Sequence, residues 1–358
     1  MKKFFIRGGV ILGWIILIFC ALYWPKWKVI PYDKNTINIF AWGDILEPSI
    51  VSDFEKETGI KINLSYYSSN EELLVKMKAT RGEGYDLIIP SDDAVHSLIK
   101  EELLKPIKKE KLPFFESINP NLRGHFYDPQ NTYSIPFEWE IFGFGIDKEY
   151  FENHPFTSSW GLVFDPEFVH YKITMENDPM DATNFAAIYL YNSLSPLDAE
   201  KAETIRQLLI EQKRWVAAYA NFRGDYFLAT RNVAVVVASS SYILRTKKLF
   251  NFVDFVVPQE GTFITIENLC IPKPSEKEDL VYRFINYLYT PKSVAAHFET
   301  YSFFPSTLQA IDSLNIDEAT KKIIFSSPED FKKYYFFKNL LPPKETRDLW
   351  VEIKTKSY

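Results

Sequence analysis

The chain has 358 residues, 46% of them apolar and 25% charged, a balance that excludes a disordered chain, a collagen and a polytopic membrane protein. Its net charge is −6, and because Lys2, Lys3 and Arg7 all precede the one long apolar run, the remainder is more acidic still. An acidic body repels a phosphate backbone and suits cations, so no nucleic-acid partner is expected. Residues 8–24 are uncharged and apolar behind a basic start, the layout of an export signal. At roughly 17 residues the run sits at the short end of a spanning helix. No A-x-A pattern precedes Pro25, so residues 1–28 are read as a signal peptide or as an inner-membrane anchor. Cys20 adds lipidation as a third course, although Phe19 stands where a small residue is wanted. Each course places the body outside the cytoplasmic membrane, and a periplasmic location is expected.

The body alternates strands and helices. Ile37–Ala41 reads as a strand, Pro48–Thr58 as a helix stopped by Gly59, and Ile60–Tyr66 as a second strand. A helix follows from Asn70, taken as its cap, to Thr80; then come a buried strand Asp86–Pro90 and a helix Ala94–Leu104. Such an order implies a parallel sheet covered by helices, with ligands beyond the strands' carboxyl ends, at Trp42–Asp44 and Ser91–Asp93. A second series has strands at Ile135–Ile146, Tyr171–Met175, Asn232–Ala238, Phe252–Val257 and Thr262–Ile271. Its helices are placed at Ala182–Leu194, Lys201–Ala218, Leu280–Leu288 and Val294–Thr300. Two α/β lobes around a cleft are the natural architecture. The glycines of Phe142–Gly145 are read as admitting unusual backbone angles where the chain crosses between lobes, with the return near Thr262–Leu269. Outside the apolar run Cys270 is the lone thiol, read as a buried small hydrophobe. No metal-ligand spacing and no nucleotide, hydrolase or protease motif occurs, so no metal, cofactor or catalytic residue is expected.

From Asn35 to Pro305 a series of blocks appears in order: Phe54–Lys61, Ser69–Glu71, Tyr85–Ser91, Tyr133–Phe137 with Trp139, Gly143 and Gly145, Ser159–Trp160, Val257–Pro258, Glu260–Gly261, Leu269 with Ile271–Pro272, and Phe304–Ser306. In order and spacing the chain resembles the bacterial spermidine/putrescine-binding proteins, the periplasmic receptors of polyamine ABC transporters. The resemblance implies an α/β, two-lobed periplasmic-binding-protein fold with a hinge and an interlobe cleft. It implies lobe 1 from residues 36–142 and 266–311, and lobe 2 from 143–265 and 312–358. It implies capture of a polyamine for delivery to ABC permease subunits, not catalysis. Another cationic or small polar solute, a sensing role, or a carboxylate-dependent hydrolase are the alternatives left open.

Carried over residue by residue, the resemblance places Trp42, Asp44, Ser91, Asp178, Asp181, Glu267 and Phe304 in the ligand site. Asp93 joins them as an additional carboxylate facing the cleft, while Asp92 and Asp93 together also suit a helix start. Carboxylates take ammonium groups and rings cover the methylenes between them. Three rings of the family pattern are missing, because this chain has Ser239 and Thr265 at two tryptophan positions and Ile45 at a third aromatic one. Glu138 and Glu140, beside Trp139, are read as solvated.

Overall fold

The computed structural model describes residues 34–220, 223–309, 311 and 314–356, together with 13 and 14. The expected export segment, residues 1–28, therefore lies outside the described residues apart from those two. Met1–Thr36 and Ile37–Tyr358 separate as two units, and all that follows concerns the second. Among the described residues no helix is long and apolar enough to cross a membrane.

Strands β1 (Thr36–Trp42), β2 (Lys61–Tyr67) and β3 (Leu87–Ile88) form a sheet in the order β2-β1-β3, with β1 and β3 parallel. Local chemistry sets the helix that follows β1. Pro48 opens it, the Glu47 carboxylate accepts the Ile50 N–H at 3.0 Å, and Gly59 ends it in the left-handed region at φ 72°. Its buried stripe is Ile50, Val51 and Phe54. The next helix, Asn70–Thr80, is capped by Ser69, which accepts the Glu72 N–H; Asn70 is its first residue and not its cap. The third begins two residues earlier than expected, at Asp92, and ends at Lys100.

A second sheet is built on β4 (Ile135–Asp147). Its other strands are β5 (Ile173–Met175), β6 (Val216–Tyr219), β7 (Val235–Ser239), β8 (Val253–Val256), β9 (Thr262–Leu269), β10 (Phe304–Pro305) and β11 (Tyr334–Tyr335). The path runs β11-β9-β4-β7-β5-β6, with β8 and β10 also on β4. The expected helix Lys201–Ala218 is shorter, Ala199–Gln212, because Val216–Tyr219 leaves it to pair with β5.

Strand β4 serves two cores. Its first half, Ile135–Ile141, pairs antiparallel with β9 and carries Trp139 and Ile141 into a core shared with β1, the helix Pro48–Thr58 and the helix Glu278–Leu288. Its second half pairs with β7 and β8 and carries Phe144 and Ile146 into a core with Trp160, Phe185 and Val235. On β9, Phe263 belongs to the second core and Ile264 to the first. The C-terminal part divides as well: Ile324 and Phe331 join the first core, whereas Leu340, Leu349 and Ile353 join the second. The stretch after residue 312 therefore contributes side chains to both cores. Gly143 and Gly145 also act differently from expectation, since neither has a positive φ. A Cβ on Gly143 would lie 2.7 Å from the Phe255 ring, and one on Gly145 would lie 2.6 Å from Ile243. They are glycines because neighbouring side chains occupy the space.

Candidate functional site

The ladder between β4 and β9 has two faces, set by the two-residue period of a strand. Trp139 and Ile266 are paired and point into the first core. Glu138 pairs directly with Glu267, and Glu140 with Thr265, on the other face. Like charges directly opposite one another are unfavourable in a sheet, so this face is not built for stability. Glu138 is only 4% exposed, contrary to the expectation of a solvated side chain, and Glu267 is buried with it.

Glu267 is held from the first sheet. Trp42 Nε1 donates to its Oε2 at 3.1 Å, and Ser91 Oγ donates to its Oε1 at 2.8 Å. Ser91 and Glu267 also form an isolated antiparallel bridge. Trp42 packs on Tyr67 with ring centroids 4.6 Å apart. Next along the chain, buried Asp92 accepts the Ile266 N–H at 2.9 Å, which ties the helix Asp92–Lys100 to β9. Asp93 bonds Asn70 Nδ2 at 2.7 Å and keeps contact with solvent.

The opposing acids come from the second core. Glu176 ends the segment after β5, and Asp178 caps the helix Pro179–Tyr191 by accepting the Met180 and Asp181 N–H groups at 2.7 and 3.1 Å. Asp181 lies in the first turn of that helix.

Electrostatics joins these segments into one site. Burial pushes Asp92 up to about 8, helped by the Asp93 charge; Asp93, although its edge meets solvent, is crowded by surrounding protein that strips part of its water and pushes it up to about 6, helped by Glu71 and Asp178. Asp181 is raised well above the carboxylate range by burial, then by Asp178 and by Asp93 from the other side. Glu176 is raised by burial and by Asp181, Glu140 and Asp178. Glu267 is raised by burial and by Glu140, Asp92 and Asp93, against the pull of the Ser91 hydroxyl. Burial and Glu267 raise Glu138; burial raises Glu140 against Ser241, Ser239 and Arg245. Acids from both cores thus face each other, and each makes its neighbours harder to ionise. Such a set accepts protons or cationic groups. Among the described residues no group of three or more His, Cys, Asp or Glu is placed to hold a metal ion.

Of the residues expected from sequence, Trp42, Ser91, Asp93, Asp178, Asp181 and Glu267 are brought together. Asp44 is not in the buried set: its side chain is 67% exposed, with Arg245 Nη1 at 3.9 Å. Phe304 is a correction. Its register partner is Trp139, so it points into the first core, fully buried against that ring at 4.9 Å. Sequence reasoning gave Asp92 to a helix start and Glu138 and Glu140 to solvent, and passed over Glu176, Tyr67 and Tyr242. The signal for Glu138 and Glu140 was there: acids two apart in an otherwise apolar strand share one face. Tyr242, beside Glu140 and Asp44, lies under the Arg245 guanidinium at 4.5 Å and shares the neighbour Glu140 with Ser239. A larger cavity of about 310 Å³, lined by rings such as Tyr150, Phe156, Tyr171 and Tyr189, shares no residue with the acid set.

Residues 49–323 match the family described as bacterial extracellular solute-binding protein. The chain is 28% identical over 302 residues to the spermidine/putrescine-binding periplasmic protein of Escherichia coli, covering 84% of this chain and 86% of that one. It is 27% identical over 344 residues to the putrescine-binding periplasmic protein SpuD of Pseudomonas aeruginosa, covering 90% and 93%. Among solved structures it is similar to the spermidine/putrescine ABC transporter substrate-binding protein PotD of Streptococcus pneumoniae, with TM-score 0.78 and 25% identity, covering 89% of this chain and 98% of that one.

Proposed function

The chain belongs to the family of bacterial extracellular solute-binding proteins, and from that premise we propose that it captures a polyamine between its two lobes and delivers it to an ABC permease. The observation that carries this reading is the meeting of Asp93, Glu138, Glu140 and Glu267 with Glu176, Asp178 and Asp181, against Arg245 as the one cation among the groups that perturb them. A ligand with several ammonium groups supplies the missing positive charge, and each ammonium finds carboxylate acceptors once its water is stripped. Trp42, Tyr67 and Tyr242 supply ring faces for the linkers. The relatives, a spermidine/putrescine-binding and a putrescine-binding periplasmic protein, support the same ligand class.

The lobes divide where β4 and β9 cross from one core to the other, and these strands act as the hinge. The basic start and apolar run at residues 8–24 export the chain and hold it in, or release it to, the periplasm. Thermal-shift measurements of the full chain with putrescine, spermidine, lysine, arginine and glucose test the reading. A rise in melting temperature with the polyamines and none with glucose is expected; a rise with glucose alone overturns it.

A further inference from the structure

Glu138 forms a wall shared by two spaces. On the β9 side it faces Glu267; on the β10 side its register partner is Pro305. There, Glu138, Tyr289, His297 and Ser306 line a small cavity of about 10 Å³. That is room for one water-sized group. Three polar atoms around it lack a hydrogen-bond partner: Glu138 Oε2, His297 Nε2 and Ser306 Oγ. All three residues are almost completely buried. Unpartnered buried polar atoms are costly, and three around one cavity call for a shared partner.

The donor and acceptor roles follow from the neighbours. His297 Nδ1 lies 2.8 Å from the Ser293 carbonyl, which can only accept, so Nδ1 carries the proton and Nε2 presents a lone pair. Burial holds this ring's pKa down at about 4, so it is neutral at ordinary pH. The Tyr289 hydroxyl beside Ser306 already donates to the Pro136 carbonyl. The cavity therefore offers a carboxylate oxygen, an imidazole lone pair and a hydroxyl oxygen to one small guest with several N–H donors. An unsubstituted ammonium has three such donors and one positive charge, and that charge also eases the Glu138–Glu267 opposition.

We infer that this cavity is the subsite for one terminal primary ammonium of the bound polyamine, with Glu138, His297 and Ser306 as its acceptors. The inference rests on the polyamine reading and deepens it: the site selects ligands whose end amine carries no substituent, because methyl groups remove the donors and exceed the volume.

Calorimetry on the full chain tests it with putrescine and its N,N,N′,N′-tetramethyl analogue, on the unaltered protein, Ser306→Ala and Glu138→Gln. The unaltered protein should prefer putrescine at least tenfold. Both variants should lose tenfold or more of putrescine affinity, and the preference should shrink towards unity. Putrescine binding with a preference that both variants retain overturns the subsite and leaves the polyamine reading standing. Equal affinity of the unaltered protein for the two diamines overturns it as well. Failure of the unaltered protein to bind any polyamine overturns both.

Discussion

The two faces of the β4–β9 ladder differ by a single residue step and have opposite characters. One carries Trp139, Ile141, Ile264 and Ile266 into an apolar core; the other carries Glu138, Glu140 and Glu267 into a space shared with more acids. The first is chosen for burial and close packing. The second accepts desolvated, mutually opposed carboxylates, which weaken the free protein and suit a cation. One pair of strands thus separates stability from recognition by pleat alone.

The sharpest way to break that contrast is to damage the apolar face. Trp139→Ala, at a fully buried ring, should cost about 3–5 kcal/mol in a denaturant melt, while the ranking of polyamines among molecules still folded stays unchanged. A changed ranking would mean that the faces are not independent. On the acid face the prediction inverts. Glu267→Gln should weaken polyamine binding by roughly 2–5 kcal/mol by calorimetry, with stability kept or raised. Loss of stability without loss of affinity would return Glu267 to a structural role.

Proton linkage gives the next effect. Asp92 titrates near 4 when unfolded and at about 8 when folded, so the native state holds the extra proton between those values. Its contribution to stability is complete below about pH 4 and is lost as pH rises towards 8. The ligand-free protein should lose roughly 2–3 kcal/mol between pH 5 and 7. A saturating polyamine should flatten this slope, because positive charge paired with Asp93 and Glu267 removes the repulsion that these neighbours exert on Asp92. A melt that stabilises steadily from pH 5 to 7 would contradict the burial of these acids. The smallest effect lies away from both faces: Ser69→Ala removes a helix cap and should cost about 0.5–2 kcal/mol without altering affinity.

These contrasts also explain what could be read in advance. The helix Pro48–Thr58 was legible to the residue because its proline, its apolar stripe and its terminal glycine are all local signals. The alternation of strand and helix was legible for the same reason; the resemblance named Ser91 and Glu267 as site residues, and the hydrogen bond between them came from the structure. The side on which Glu138 falls was not. Alternation says that Glu138 and Glu140 share a face, but the direction of that face depends on pairing with β9, far along the chain. Phe304 was misplaced for the same reason, since its strand has two residues and its orientation comes wholly from register with Trp139. Gly143 and Gly145 were recognised as special, yet the cause was the close approach of Phe255 and Ile243 and not backbone freedom.

The mutual opposition of the buried acids has a consequence for how the protein is read by whatever receives its cargo. If each arriving ammonium displaces about one proton, loading is nearly electroneutral, and electrophoresis of free and loaded forms at pH 7 should show almost equal net charge. The long-range field then carries no message about occupancy. In the proposed delivery, a permease would meet the same electrostatic surface either way and would have to distinguish full from empty by outline: the relative placement of the two lobes that β4 and β9 connect.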